Sequence, residues 1–490
     1  MRKEVVALAS VSTTVTVVAL AALARRLKQR KEEELRQIRE IVHKFASECA
    51  TPVAKLWQIA DDFVSDMKAS LVASSNGSTT LNMLVSYAES LPSGEEQGFY
   101  YGVNLRGNDF LILCARLRGK SKPISHLHRE EISIPDNLLA ASSSSQELVE
   151  FIAMEVAKFV GANAEYENEH PKDQKLGFTV SYPVDESAAS SGNAIKWKNF
   201  YADDPVGKRL VDEFNEALQK HDLSIRVDSS VGDLWGGRYY SRDSVAAVTL
   251  GMSTNASYVE AAQHVSRWHG QSSNSSDLVI STEWGNFKSS HLPVTQFDAS
   301  LDAESSNPGT GIFGKLISGM YLGEIVRRVL LTMAQETALF GRNVPPKLMI
   351  PYQLRSPDMA AMHQDTTEDR EIVSEKLEEV FGIKNSSRVA REVVAEVCDV
   401  VTERGARLAG AGIVGILKKL ERIESKRSVV TLEGGLYDHY RIFRNYLHSS
   451  VWEMLGNDLS DNVVIDHSHG GSGTGALFLA ASQSQRTGSS

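Results

Sequence analysis

Between residues 53 and 67 the apolar side chains Val53, Leu56, Ile59, Ala60, Phe63 and Met67 return every three or four positions, the spacing of one helix face. Thr51-Pro52 ahead of them reads as an N-cap followed by proline at the first helical position, and the stripe reads as a packing face. Upstream, 31–45 is a charged helical stretch, and 5–24 is a run of 20 residues without a charge. That length suffices for a helix to cross a bilayer core and predicts a retained membrane anchor. A cleaved signal or transit peptide is the competing reading, because Ser10, Ser12, Thr13, Thr14 and Thr16 interrupt the apolar run.

Further along, short runs rich in strand-forming residues at 99–103, 110–113, 177–182, 246–250, 278–280 and 463–465 alternate with amphipathic helical segments. Segments rich in Ser, Gly and Asn at 73–80, 141–145, 187–193 and 272–276, and the tail after Gln483, read as surface loops. The pattern predicts the α/β class, with no internal repeat.

Composition narrows the function classes. At 490 residues, 42% hydrophobic and 23% charged, the chain can bury a large core. Its formal charge of -10 would repel a phosphate backbone, so no nucleic-acid partner is expected. Residues 1–31 run against that balance, with seven Lys/Arg and one acid. The cluster Arg25, Arg26, Lys28, Arg30 and Lys31 after the uncharged span favours a cytosolic body. Three cysteines, Cys49, Cys114 and Cys398, provide neither a disulfide framework nor a metal-ligand pair. His128, His264 and His363 lack metal-ligand spacing, so neither a metal site nor a structural cofactor is expected.

Six stretches are more specific: LGFTVSYPV (176–184), VGDLWGGRYY (231–240), STEWGNF (281–287), SSNPGTGIFGKLISGMYLGEIVRRVLL (305–331), AGIVGILKKL (411–420) and LEGGLYDHY (432–440). Their order and spacing resemble a hexokinase of the plant type. The resemblance implies a two-lobed actin-like ATPase fold with a central mixed sheet in each lobe, preceded here by the N-terminal membrane helix. It places the anchor and basic flank at 1–31, a small lobe with N-terminal helices at 32–230 and a large lobe at 231–465. A nucleotide loop and a helix returning to the small lobe take 466–490. It also implies glucose and Mg-ATP as ligands and the outer mitochondrial membrane as the anchoring surface.

Phosphoryl transfer to a sugar needs a carboxylate base, donors around the triphosphate and a polar cage for the sugar. Aligned on Gly232 and the Gly236-Gly237-Arg238-Tyr239 run, Ser229 stands where the family has its catalytic Asp, and Asp228 stands where it has an Asn sugar ligand. Asp228, or Asp233, would replace the base only if a local bulge corrected the strand register. The first phosphate hairpin carries Asn104, Arg106, Gly107, Asn108, Asp109 and Leu111. Against the family's pattern Arg106 replaces a glycine, Asp109 brings a carboxylate and Leu111 removes a cation, the last two opposing anion binding. In the second phosphate segment Met252 replaces a hydroxyl donor.

Gly434 and Gly435 after Glu433, and Gly471, Ser472 and Gly473 after an unexpected Gly470, keep the nucleotide segments glycine-rich. Lys198, Asn255 and Glu283 match sugar contacts, whereas Gly311 and Gly314 stand where the family has Gln and Glu. Losing the base, phosphate donors and sugar ligands together predicts a hexokinase-like protein with little or no catalysis, weak hexose binding, and weak or lost nucleotide binding. An active glucose or fructose kinase with a displaced carboxylate is the alternative.

Overall fold

The computed structural model describes residues 29, 32–72, 79–81, 83–86, 91–105, 109–139, 145–163, 175–180, 208–221, 226–230, 234–266, 277–424, 426–468 and 473–484. The uncharged span 5–24, the loops at 187–193 and 272–276, and Arg106, Gly107, Asn108, Lys198, Gly471 and Ser472 lie outside the described residues. Among the described residues no helix is long and apolar enough to cross a membrane.

The chain divides into two compact units. One comprises the described part of Met1–Ala50 with Glu324–Leu354 and Asp358–Val400. Its helix at 32–49 buries Ile38, Val42, Phe45 and Cys49. There the fully buried Glu324 carboxylate accepts from Arg327 Nε (2.7 Å), Arg328 Nε (2.8 Å) and the Tyr352 amide (2.7 Å), which satisfies a charge that would otherwise be costly to bury. The other unit, Thr51–Gly323, Arg355–Pro357 and Val401–Ser490, holds both sheets.

The first sheet has the order β4-β3-β2-β5-β6, with β2 (Gln97–Leu105), β3 (Asp109–Arg118), β4 (Ser125–Ser133), β5 (Lys175–Val180) and β6 (Arg226–Ser230). The second has the order β1-β9-β8-β7-β10-β11, with β1 (Leu84–Ser86), β7 (Ser244–Leu250), β8 (Thr254–Ala261), β9 (Asp277–Ser281), β10 (Ser428–Glu433) and β11 (Val463–His467). Both follow one plan: a three-stranded antiparallel meander, then two parallel strands. The hairpins β2–β3 and β7–β8 therefore occupy equivalent places in the two mixed sheets. The strand β1, within the stretch 32–230 assigned to one lobe, pairs with β9 of the second sheet.

Both faces of β3 are buried, which explains its nearly unbroken apolar run. Phe110, Ile112 and Cys114 join one core with Val156 and Phe214, from the helices Ser145–Ala162 and Lys208–Lys220. Leu111, Leu113 and Leu117 join another with Leu477 and Phe478 of the helix Thr474–Ser484. That last helix lies flush on the first sheet, because a Cβ on Gly177 would fall 1.8 Å from the Ala476 carbonyl oxygen, and one on Gly102 would fall 2.8 Å from Ala476 Cβ.

The stripe after Thr51-Pro52 forms the helix Val53–Ser70 and buries Leu56, Ile59, Ala60, Phe63 and Met67. The expected Thr51 cap is not made. Pro52 is the N-cap residue, without a side-chain cap bond. The Thr51 hydroxyl instead accepts from Arg407 Nε (3.1 Å), since a buried guanidinium needs that acceptor. Ser145, expected in a loop, is the first residue of its helix.

Candidate active site

The best-formed polar constellation lies at the start of β8 and just past the end of β9. Asn255 Nδ2 donates to Glu283 Oε1 (2.8 Å) and to Ser281 Oγ (2.9 Å), and Ser281 Oγ donates to the same Glu283 oxygen (2.8 Å). Asn255 Oδ1 accepts the Ala256 amide (2.8 Å), which fixes the orientation of the side-chain amide. Thr282 Oγ1 donates to the Ala256 carbonyl (2.8 Å) and accepts the Trp284 amide (3.2 Å). Ser281 and Thr282 are buried, whereas Asn255 and Glu283 are half-buried. The arrangement holds a half-buried carboxylate and amide in a fixed geometry, the kind of polar pair that recognition of a polyhydroxyl ligand uses.

Glu283 adopts a left-handed backbone (φ 51°, ψ 39°), where a side chain is strained. Behind it Trp284 is buried: its Nε1–H donates to Thr254 Oγ1 (3.0 Å) and its ring meets Phe313 edge-on at 5.7 Å. Lys315, also buried, shapes the next segment by donating to Asp302 Oδ1 (2.7 Å), Ser305 Oγ (2.8 Å) and the Asn307 carbonyl (3.1 Å). Burial alone would raise the Asp302 pKa. Hydrogen bonds from Lys315 and the Gly309 amide, with the Lys315 and Lys288 charges, hold it below the usual carboxylate range.

Gly311 and Gly314 stand at the two positions where the resemblance implies sugar-binding side chains. Gly311 is left-handed (φ 67°), and a Cβ on Gly314 would lie 3.2 Å from Gly285 Cα. Gly314 thus packs directly on the Gly285 backbone.

The segments to which the resemblance assigns phosphate contacts form two further groups. In the first, Asn104 pairs in register with Leu111, and both are buried. A Cβ on Gly473 would lie 2.6 Å from Leu111 Cδ2 and 3.5 Å from Asn104 Cβ. Leu111 thus fills the position with apolar contact rather than simply lacking a cation. Asp109 opens β3 opposite Ser133. In the second group, Gly434 (φ 102°) brings 433–435 against the β7–β8 turn, since a Cβ there would lie 2.5 Å from the Leu250 carbonyl oxygen. Gly435 opens a short helix beside it. Met252 is 53% exposed on that turn, whose Gly251 and Met252 carbonyls accept the Gly319 and Met320 amides (2.8 and 3.2 Å).

Asp228 and Ser229 occupy successive positions of β6, opposite Gly177 and Phe178 of β5. The parallel register runs without a break from Arg226 opposite Lys175 to Ser230 opposite Thr179. Adjacent positions of an unbroken strand belong to opposite sheet faces. The bulge that would bring position 228 into the place of 229 is absent from this ladder.

Sequence reading missed the flanking hydroxyls Ser281 and Thr282, and a cluster at the ends of β10 and β11. There Asp438 accepts the Gly434 amide (3.1 Å) and pairs with His467 (3.1 Å). Tyr437 bonds His448 Nε2 (3.0 Å). Burial pushes the Tyr437 phenol up to about 12, against the Arg444 charge, and burial also lowers the His448 pKa, helped by Arg444 and His467. His264 pairs with Glu260 and His363 with Asp399, and no group among the described residues has the make-up of a metal site.

Two hexokinase family profiles match residues 41–238 and 245–482. Hexokinase-1 of Spinacia oleracea is 46% identical over 459 residues, covering 91% of each chain, and Hexokinase-1 of Arabidopsis thaliana is 46% identical over 455 residues. Among solved structures, the Schistosoma mansoni hexokinase complexed with glucose superposes with a TM-score of 0.75 at 26% identity, covering 91% of this chain and 99% of the other. The paired mixed sheets are those of the two-lobed hexokinase fold. Matches that span both sheets and nearly the whole length place this chain in the hexokinase family.

Proposed function

We propose that this member of the hexokinase family binds a hexose weakly, transfers phosphate slowly or not at all, and serves a regulatory, sugar-sensing or interaction role. What supports this is Ser229, which the family alignment sets at the position of the base, on a ladder paired without a break from Arg226 to Ser230, where adjacent positions 228 and 229 belong to opposite sheet faces. A serine hydroxyl is no base near neutral pH, and losing a general base costs ~10² to 10⁴ in rate. The paired Asn255 and Glu283 support retained hexose recognition, and the glucose in the Schistosoma mansoni complex supports glucose as that hexose.

A second reading, an active kinase using Mg-ATP on glucose or fructose with Asp228 as base, is favoured by the name hexokinase carried by relatives 46% identical. A coupled glucose-phosphorylation assay at high protein concentration separates the two. The first reading gives a rate near background for the unmodified protein. Robust turnover that Asp228→Asn abolishes overturns it and establishes the second.

The uncharged span 5–24 and the basic cluster behind it support a membrane anchor with a cytosolic body, and the resemblance to hexokinases attached to the outer mitochondrial surface supports that membrane. Carbonate extraction and protease protection test this. A soluble product, or a body protected by intact mitochondria, contradicts it.

A further inference from the structure

We propose, building on the hexose-binding reading, that Asp62 is a positioning residue for the hexose site. From the helix Val53–Ser70 it holds the far end of the segment that carries Glu283, and so sets how tightly glucose is bound. Glu283 has a left-handed backbone, a conformation that persists only where its surroundings over-determine it. Upstream, β9 and the bonds of Ser281 and Thr282 do so. Downstream the chain makes a single 3-10 turn, Trp284–Asn286, closed by the Asn286 and Phe287 amides on the Glu283 and Trp284 carbonyls (both 3.0 Å). It then runs without regular structure to the helix Gln296–Glu304. So short a turn does not hold itself, and its support comes from elsewhere in the chain.

That support is one face of the helix Val53–Ser70. Ser289 Oγ donates to Asp62 Oδ2 (2.5 Å), and His291 Nδ1 pairs with the same oxygen (2.8 Å). At the next position Phe63 meets Phe287 edge-on, with centroids 5.1 Å apart. One turn on, Asp66 Oδ2 accepts the Thr80 hydroxyl (2.5 Å), whose oxygen accepts the Lys288 amide (3.1 Å). The helix Arg388–Lys419 backs this assembly without slack: a Cβ on Gly415 would lie 2.9 Å from Phe63 Cδ1, and one on Gly412 2.8 Å from Trp284 Cζ3. Lys288 Nζ also bonds the Gly309 carbonyl, so the held segment braces the loop before Gly311. Packing fixes the start of the turn, whereas at its far end two side chains converge on one carboxylate oxygen. Hydrogen bonds to a charged acceptor are the stronger kind. With the Asp62 and His291 side chains each 40% exposed, solvent weakens the pair, so its removal should loosen the site rather than abolish it.

The test uses the full chain with glucose as the probe. Affinity is read from glucose-dependent thermal stability, and hydrogen exchange follows the amides of 286–288. Asp62→Ala should bind glucose about tenfold more weakly and lose amide protection there, because the binding groups remain but are no longer pre-organised. Asp62→Asn keeps an oxygen that can accept both bonds and should stay within about threefold of the unmodified chain. Asp61→Ala removes the ion pair to Lys418 (2.5 Å) from the same helix and should leave both readouts unchanged. An Asp62 that acts only on overall stability would lower the ligand-free midpoint and leave glucose affinity as it was, which overturns the proposal. So does an equal loss of affinity in Asp61→Ala, or an Asp62→Asn protein as weak as Asp62→Ala. If Asp62→Ala does not fold, Ser289→Ala, which removes one of the two bonds, is judged by the same criteria. A failure of the hexose-binding reading shows separately, as an unmodified chain that ignores glucose. Exchange then decides alone, and unchanged protection of 286–288 in the variant overturns the positioning role.

Discussion

Asn255 donates its side-chain amide to the Glu283 carboxylate at 2.8 Å, and Glu283 receives it from a left-handed backbone. A non-glycine residue pays about 1 to 2 kcal/mol for that conformation. Such strain persists where surrounding bonds over-determine it, commonly at ligand sites. Glu283→Gly should relieve the backbone while deleting the carboxylate, leaving stability within about 1 kcal/mol of the original as the lost hydrogen bonds offset the relief. Its glucose-dependent stabilisation should vanish. Glu283→Gln keeps the shape and should lose most of the glucose response. A Glu283→Gly protein that still responds fully to glucose removes this pair from the hexose site.

The Lys315–Asp302 pair gives a pH signature. Because the Asp302 pKa in the folded protein lies below its ordinary value, the pair contributes stability above the unfolded pKa, near pH 4, and loses it as pH falls through the folded value. Lys315→Met should cost on the order of 2 to 3 kcal/mol near neutral pH, since it leaves a mostly buried carboxylate without its partner. Denaturation midpoints measured across pH should show the gap between the two proteins narrowing below about pH 4. A gap independent of pH would mean that Lys315 stabilises by packing.

Restoring the base alone should not restore an enzyme. Ser229→Asp returns the carboxylate, yet Leu111, Asp109 and Met252 still leave the transferred phosphate poorly supported, and missing donors of this kind commonly cost ~10² to 10³ each. Near-background turnover is expected for the single change. A measurable rise is expected when Arg106→Gly, Asn108→Thr, Asp109→Asn, Leu111→Arg and Met252→Thr are added. Gly314→Glu should lower stability, because its Cβ would press on the Gly285 backbone at 3.2 Å. A robust kinase from Ser229→Asp alone would show that the phosphate segments work as they stand.

The fold was legible in the sequence wherever burial imposes a period. The stripe from Leu56 to Met67 became a helix face, five of the six predicted β runs lie in strands, and the sixth, 177–182, does so as far as residue 180, its last two residues lying outside the described ones. The strand β4 was invisible because it is a sheet edge of charged, mostly exposed residues, the composition that blocks further pairing. The strand β8 was missed because its first residues, Thr254 and Asn255, are polar and only half-buried. Family resemblance singled out Asn255 and Glu283. Ser281 and Thr282 carry no signature of their own, since a hydroxyl gains a role only from the partner the fold brings to it. The Leu111–Gly473 contact joins distant segments, so sequence could register the lost cation but not the apolar junction that replaced it.

Glucose binding and glucose phosphorylation measured together on one sample of the unmodified protein, with Mg-ATP present, bear most directly on whether this chain recognises hexose without processing it. The expected result is a thermal shift that develops only at high glucose concentration, as RT ln(1 + [L]/Kd) dictates for a weak ligand, with sugar phosphate no higher than in the protein-free control. Robust release of sugar phosphate, or a strong shift already at micromolar glucose, would contradict it.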